Sequence, residues 1–141
     1  MSDANFRDMG RNSLSNPMST VLRQQDSLAL TAVQADSIAS MNRRYTYRTD
    51  SLWTPPARWL AALPQHYRSD EAYDRYLAAR RAQVDLLSQS MRLLRDLLTP
   101  EQRRKLPASV TSYLDPRFLR FIRDGNGTYL NAGSSGYFEF R

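Results

Sequence analysis

Apolar positions in the first half of the chain recur at helical spacing. Leu30, Ile38, Met41, Tyr45 and Leu52 fall on one face of a helix drawn over residues 31–53. Pro55-Pro56 is expected to stop that helix, because proline lacks a backbone donor and disfavours helix in the residue before it. Ala57 to Leu63 then reads as a short helix ended by Pro64. The strongest periodicity follows: Tyr73, Leu77, Val84, Leu87, Met91, Leu94 and Leu98 keep a near-heptad stripe over about 25 residues, with Ser69 or Asp70 as its N-cap. An apolar stripe of that length needs a partner, and the first helix is the nearest one. The expected fold is therefore all-α: an elongated helical hairpin with short flanking helices.

Punctuation places the remaining elements. Thr99-Pro100-Glu101-Gln102 opens a short helix that ends near Leu106-Pro107, and Ser109 to Leu114 continues helically. Asp115-Pro116 caps a last segment, Arg117 to Asp124, which Gly125 closes. Residues 1–27 are polar, with Asn16-Pro17 as a turn signal, and are expected to form an arm or linker. Residues 28–124 make the helical domain, and 125–141 a Gly-rich tail whose Tyr137, Phe138 and Phe140 suit docking onto a partner surface.

Composition narrows the chemistry. The 141 residues suit one small domain, and a mean hydropathy of −0.62 with 41% hydrophobic residues allows a thin core rather than a thick one. With Cys 0, disulfides, thiolate zinc sites and thiol nucleophiles are all excluded. His66 is the single histidine, so no site needing two imidazoles can form; Asp70, Glu71 and Asp74 nearby are more simply first-turn acids than metal ligands. Gly133-Ser134-Ser135-Gly136 is not a nucleophile elbow, and Gly125-Asn126-Gly127 lacks the lysine of a phosphate loop. No catalytic residue, cofactor site or metal site is assigned, and the chain is expected to be no enzyme.

Charge points to binding. The net charge is +6, carried almost wholly by arginine, with Lys105 the one lysine. Arg43, Arg44 and Arg48 sit within two turns, and Arg117, Arg120 and Arg123 repeat every third residue. Guanidinium groups so placed suit acidic protein segments or an anionic surface. Nucleic acid ranks behind these, since no recognised motif accompanies the charge. Tyr45, Tyr47, Trp53, Trp59, Tyr67, Tyr73 and Tyr76 gather near the expected hinge and read mostly as core. Phe118, Phe121 and Ile122 form an apolar face that is expected to pack on the hairpin.

One pattern occurs twice. Leu30-Thr31-Ala32-Val33-Gln34 and Leu98-Thr99-Pro100-Glu101-Gln102 both read Leu-Thr-x-x-Gln. Threonine as N-cap and glutamine at the third helical position can satisfy each other's backbone donors in a capping box, with leucine as the staple. Two such motifs framing a hairpin resemble the Leu-Thr-x-x-Gln family of small periplasmic proteins, typified by the Spy-type chaperones. The resemblance covers roughly residues 28–107 and implies that paired protomers form a thin cradle whose basic and apolar face holds unfolded clients without ATP. The order Asp26 to Thr31, Asn42-Arg43-Arg44-Tyr45 and Leu98 to Pro107 also resembles helical C-terminal extensions of some TonB-dependent outer-membrane receptors. Together these imply an extracytoplasmic binding module, periplasmic or associated with the outer membrane. Its partners would be protein clients, a second copy of itself, or a larger membrane complex. The N-terminus lacks the basic and apolar run of a secretory signal, and no stretch is long enough to span a bilayer.

Overall fold

The computed structural model describes residues 14–63 and 69–124, together with Arg7 and Gly10. Helix α1 is Pro17–Arg23, α2 is Ala32–Ala61, α3 is Ser69–Leu97, α4 is Pro100–Arg104, α5 is Ala108–Thr111 and α6 is Pro116–Arg123, with a 3₁₀ turn at Ser112–Leu114 between the last two. No strand occurs among the described residues. The fold is all-α, and its axis is the antiparallel pair α2 and α3. At 1.5 Å per residue a 30-residue helix is about 45 Å long.

The stripes pack where their period puts them. Ile38, Met41 and Tyr45 of α2 meet Val84, Leu87, Met91 and Leu94 of α3 in one buried cluster that Leu98, Leu106, Val110, Leu114 and Leu119 extend. A second cluster, Trp53, Ala57, Leu60 and Ala79, fills the far end of the hairpin. Tyr73 departs from the expected stripe, being 58% exposed, and Leu77 is only half-buried. From Ala79 onward the buried face keeps its phase.

Two expectations are corrected. Helix α2 does not stop before Pro55-Pro56 but runs through both to Ala61, absorbing the short helix expected at Ala57 to Leu63. The lost donors lie over Ser51 and Leu52, and Ser51 and Pro55 are exposed, so solvent can serve the Ser51 carbonyl. Across the same stretch Trp53, Ala57 and Leu60 stay on the buried face. Their burial, about 1.5–3 kcal/mol for each large side chain, opposes a proline cost of about 3 kcal/mol.

The second correction concerns the expected polar arm, residues 1–27. Asn16 caps α1 by accepting from the Met18 and Ser19 amides at 3.1 and 3.4 Å, and Pro17 takes the first helical position. Met18 and Val21 are fully buried, and Leu28 nearly so, all in the main core. Asn16 Nδ2 also donates to Asn42 Oδ1 at 2.7 Å, tying the cap to α2. Gly10 is buried against Trp53, and a Cβ added there would fall onto the indole ring. A few well-spaced apolar groups suffice because the neighbouring helices supply the rest of the core.

The chain turns from α1 into α2 with Ala29 at a φ of 54°, a left-handed conformation that leaves the Ala29 carbonyl free to meet another part of the molecule. After the 3₁₀ turn, α6 is held on α3. Arg123 Nε donates to Asp85 Oδ1 at 2.6 Å, and Arg80 donates to the Ile122 carbonyl. Leu119 is buried, Phe118 meets Tyr113 edge to face, and Phe121 and Ile122 are half-buried, so this helix packs on the hairpin.

Candidate functional site

Both capping boxes form. Thr31 Oγ1 accepts from the Gln34 amide at 3.1 Å while Gln34 Oε1 accepts from the Thr31 amide at 2.9 Å. Thr99 and Gln102 repeat this at 3.2 and 2.9 Å. The packing of α2 on α3 then brings the two glutamines together. Gln34 Nε2 donates to Gln102 Oε1 at 2.9 Å, and Gln102 Nε2 donates to Gln34 Oε1 at 3.1 Å. Each amide also reaches across to the other motif's approach: Gln34 to the Leu97 carbonyl at 2.8 Å, Gln102 to the Ala29 carbonyl at 3.3 Å. The preceding leucines seal the pair, Leu98 buried and Leu30 half-buried against the core. Chemically this is a fastening; both side chains are committed to partners within the fold.

The two faces of the hairpin differ. Asn42 meets Asn16 and Ser19, so α1 covers its side of α2. Arg44, two positions on, lies about 200° around the helix. In the same way Met91 faces α6 while Leu93 points the other way. The face that no other described helix covers carries a shallow groove between the long helices. Its floor is Met41, Tyr45, Leu86 and Leu93, and its margins are Arg44, Arg48, Gln89 and Ser90. Toward the capping boxes it widens to about 420 Å³ beside Ser37, Ser40, Leu93, Asp96 and Leu97. Leu93 is 51% exposed there. Arg44 Nη1 donates to Ser40 Oγ at 3.1 Å, which leaves most of its guanidinium donors available. Arg43 is exposed but does not line this groove, being a third of a turn away from Arg44.

The C-terminal arginines do not form the single stripe that their spacing suggests. Arg117 turns back to Asp115 at 3.4 Å, and the Asp115 carboxyl is held below its usual range chiefly by the Arg117 amide that it caps, then by the Arg117 side chain. Arg123 is taken by Asp85 and Asp124, and the Asp85 hydrogen bond raises its already high pKa further. Arg120 remains, and it shares a cleft with Arg92 and Arg95 of α3. A step of three residues covers only 300° of a turn, so a run of such steps drifts around the helix.

The aromatic residues sort by depth. Trp53 Nε1 donates to Gln83 Oε1 at 2.9 Å, and Gln83 Nε2 donates to the Tyr45 hydroxyl at 3.0 Å, all three residues being buried. Burial pushes the Tyr45 phenol above its ordinary pKa, against a smaller opposing effect of the Gln83 hydrogen bond. Trp59 is half-buried beneath the Arg75 guanidinium, 4.0 Å from the ring centre. Tyr76 stacks on Tyr73 and meets Trp53 at a tilt of 52°. Tyr47 is 73% exposed. Tyr67, His66, Tyr137, Phe138 and Phe140 lie outside the described residues.

Among the described residues no group of three or more His, Cys, Asp or Glu is placed to hold a metal ion, and no helix is long and apolar enough to cross a membrane. Leu86, Leu93, Arg92 and Arg95 were not singled out by motif, yet Leu93 stands out of phase with the buried stripe, and that offset was the available signal. No protein-family model, characterised protein or solved structure matches the chain.

Proposed function

We propose that the chain is a non-enzymatic binding module that holds a protein segment carrying apolar and acidic side chains along the groove between α2 and α3. The supporting observation is the composition of the groove: Leu93 and Leu86 offer apolar contact, while Arg44 and Arg48 flank them with cationic donors. An apolar group leaving water gains about 25 cal/mol per Å² without regard to partner sequence, and guanidinium groups add preference for carboxylates. Such a surface suits weak, broad recognition of incompletely folded chains. The resemblance of the two Leu-Thr-x-x-Gln motifs to the Spy-type chaperones argues in the same direction and would place the activity outside the cytoplasm.

Suppression of aggregation of a chemically denatured client, followed by light scattering, tests the reading. The unaltered chain is expected to suppress scattering at near-stoichiometric amounts, and the Leu93→Asp, Arg44→Glu, Arg48→Glu variant to lose most of that effect while keeping its helical circular dichroism. Undiminished suppression by the folded variant would refute the assignment of this face.

A further inference from the structure

We infer that the cleft between α3 and α6, on the side of the hairpin away from the groove, binds a phosphate-bearing anion. The cleft measures about 310 Å³, within the size range of small-ligand sites. Arg92 and Arg95 line it from α3, Arg120 and Arg123 from α6. Asp85 is the one acid among the described lining residues, and it is engaged by Arg123 through two hydrogen bonds at 2.6 and 3.4 Å. Arg92, Arg95 and Arg120 form no salt bridge among the described residues, although the Asp115 carboxylate feels the charge of Arg95. Four arginines against the Arg123-bound Asp85 and the neighbouring Asp115 leave the cleft with excess positive charge, and an anion between the guanidinium groups lowers their mutual repulsion.

The cleft is built before a ligand arrives. The Arg123–Asp85 pair and the Arg80 bond to the Ile122 carbonyl fix α6 on α3, and buried Met91 and Leu119 form a rigid floor. A carboxylate presents two oxygens, whereas a terminal phosphoryl group presents three and carries more charge. Three guanidinium forks lining one cleft therefore match phosphate better. Pro116, Met91 and Leu119 give the cleft an apolar side that would accept carbon next to the phosphate. Either a soluble phosphate compound or the headgroup of an anionic phospholipid has this chemistry.

The test uses the full chain and two probes: inorganic pyrophosphate by isothermal titration, and phosphatidylglycerol-containing vesicles by co-sedimentation, with phosphatidylcholine vesicles as the reference. The Arg92→Gln, Arg120→Gln variant changes two exposed side chains and should remain folded. Saturable pyrophosphate binding that weakens at least ten-fold in this variant supports a soluble phosphate ligand. Vesicle binding that depends on phosphatidylglycerol and falls similarly supports a headgroup. The Arg44→Gln, Arg48→Gln variant, with the same loss of charge on the other face, should bind either probe as the unaltered chain does. The inference is overturned if neither probe binds saturably, if the cleft variant binds as well as the unaltered chain, or if both double variants lose affinity equally.

Discussion

The side-chain amides of Gln34 and Gln102 lie against each other, each donating to the other's oxygen at 2.9 and 3.1 Å. Each oxygen also accepts a backbone amide in its own capping box. One pair of side chains thus closes two helix starts and joins them, although 68 residues separate the partners in sequence. A helix cap is ordinarily a local device; here the remaining donors of the two caps are spent on long-range structure.

Gln102→Ala should therefore cost more than removal of a cap alone. It orphans the Thr99 amide and the Ala29 carbonyl and strips Gln34 of a partner, an effect of about 1–3 kcal/mol, against about 1 kcal/mol for Thr31→Ala. Urea unfolding of both variants gives the comparison. A Gln34→Ala, Gln102→Ala double-mutant cycle should show coupling of at least about 0.5 kcal/mol. Strict additivity would mean that the amide pair contributes nothing beyond its two boxes.

Gln83 performs the equivalent task in the interior, linking Tyr45 of the main cluster to Trp53 of the second. Gln83→Leu keeps the volume but removes both the acceptor of the Trp53 indole N–H and one hydrogen-bond donor to the Tyr45 phenol. The expected loss is about 1–3 kcal/mol. Trp53 fluorescence and chemical unfolding measured together should show a shifted emission and a lower midpoint; an unchanged midpoint would argue that water or a rotated Trp53 replaces the glutamine.

Burial of Tyr45 sets an alkaline limit on stability. Its folded pKa is raised above the ordinary value, so the unfolded chain releases the phenolic proton first as pH rises. Stability from this group is constant below about pH 10 and declines above it as the unfolded state gains by ionising. Unfolding midpoints recorded from pH 8 upward should fall beyond about pH 10, and Tyr45→Phe should flatten that decline. An equal slope in the variant would assign the alkaline loss to other groups.

How much was legible in the sequence depends on the range over which each signal acts. The capping boxes and the stripe from Val84 to Leu98 were readable because their residues sit within a few turns of one another. The meeting of Gln34 and Gln102 was not, since neither motif contains information about the register of α2 on α3. The packing of α1 was missed for a related reason: Met18 and Val21 are sparse in a polar stretch, and their burial comes from surfaces supplied by distant residues. The groove followed the same rule, its arginines Arg44 and Arg48 being visible and its floor from α3 not.

Gly10 offers a direct test of the N-terminal packing. Its α-carbon lies so close to Trp53 that Gly10→Ala would drive a methyl group into the indole ring. Overpacking of this kind costs about 1–3 kcal/mol. The melting temperature should drop and Trp53 emission should move toward that of an exposed indole. If Gly10→Ala instead matches the unaltered chain in both readouts, the segment does not rest on Trp53 in solution.

Pro55 gives the opposite sign. It stands inside α2, exposed, where it removes a helical hydrogen bond to the Ser51 carbonyl without filling any part of the core. Replacing it with alanine restores the donor and relieves the ring's contact with the preceding turn. Interior proline is worth about 3 kcal/mol against alanine, and the stiffer unfolded chain of the parent returns about 0.4–1 kcal/mol of that. Pro55→Ala is therefore expected to stabilise the fold by about 2–2.6 kcal/mol, read as a higher urea midpoint with unchanged slope. Destabilisation would show that the helix breaks at this point and that proline is suited to the break, which would restore two helices where α2 is one.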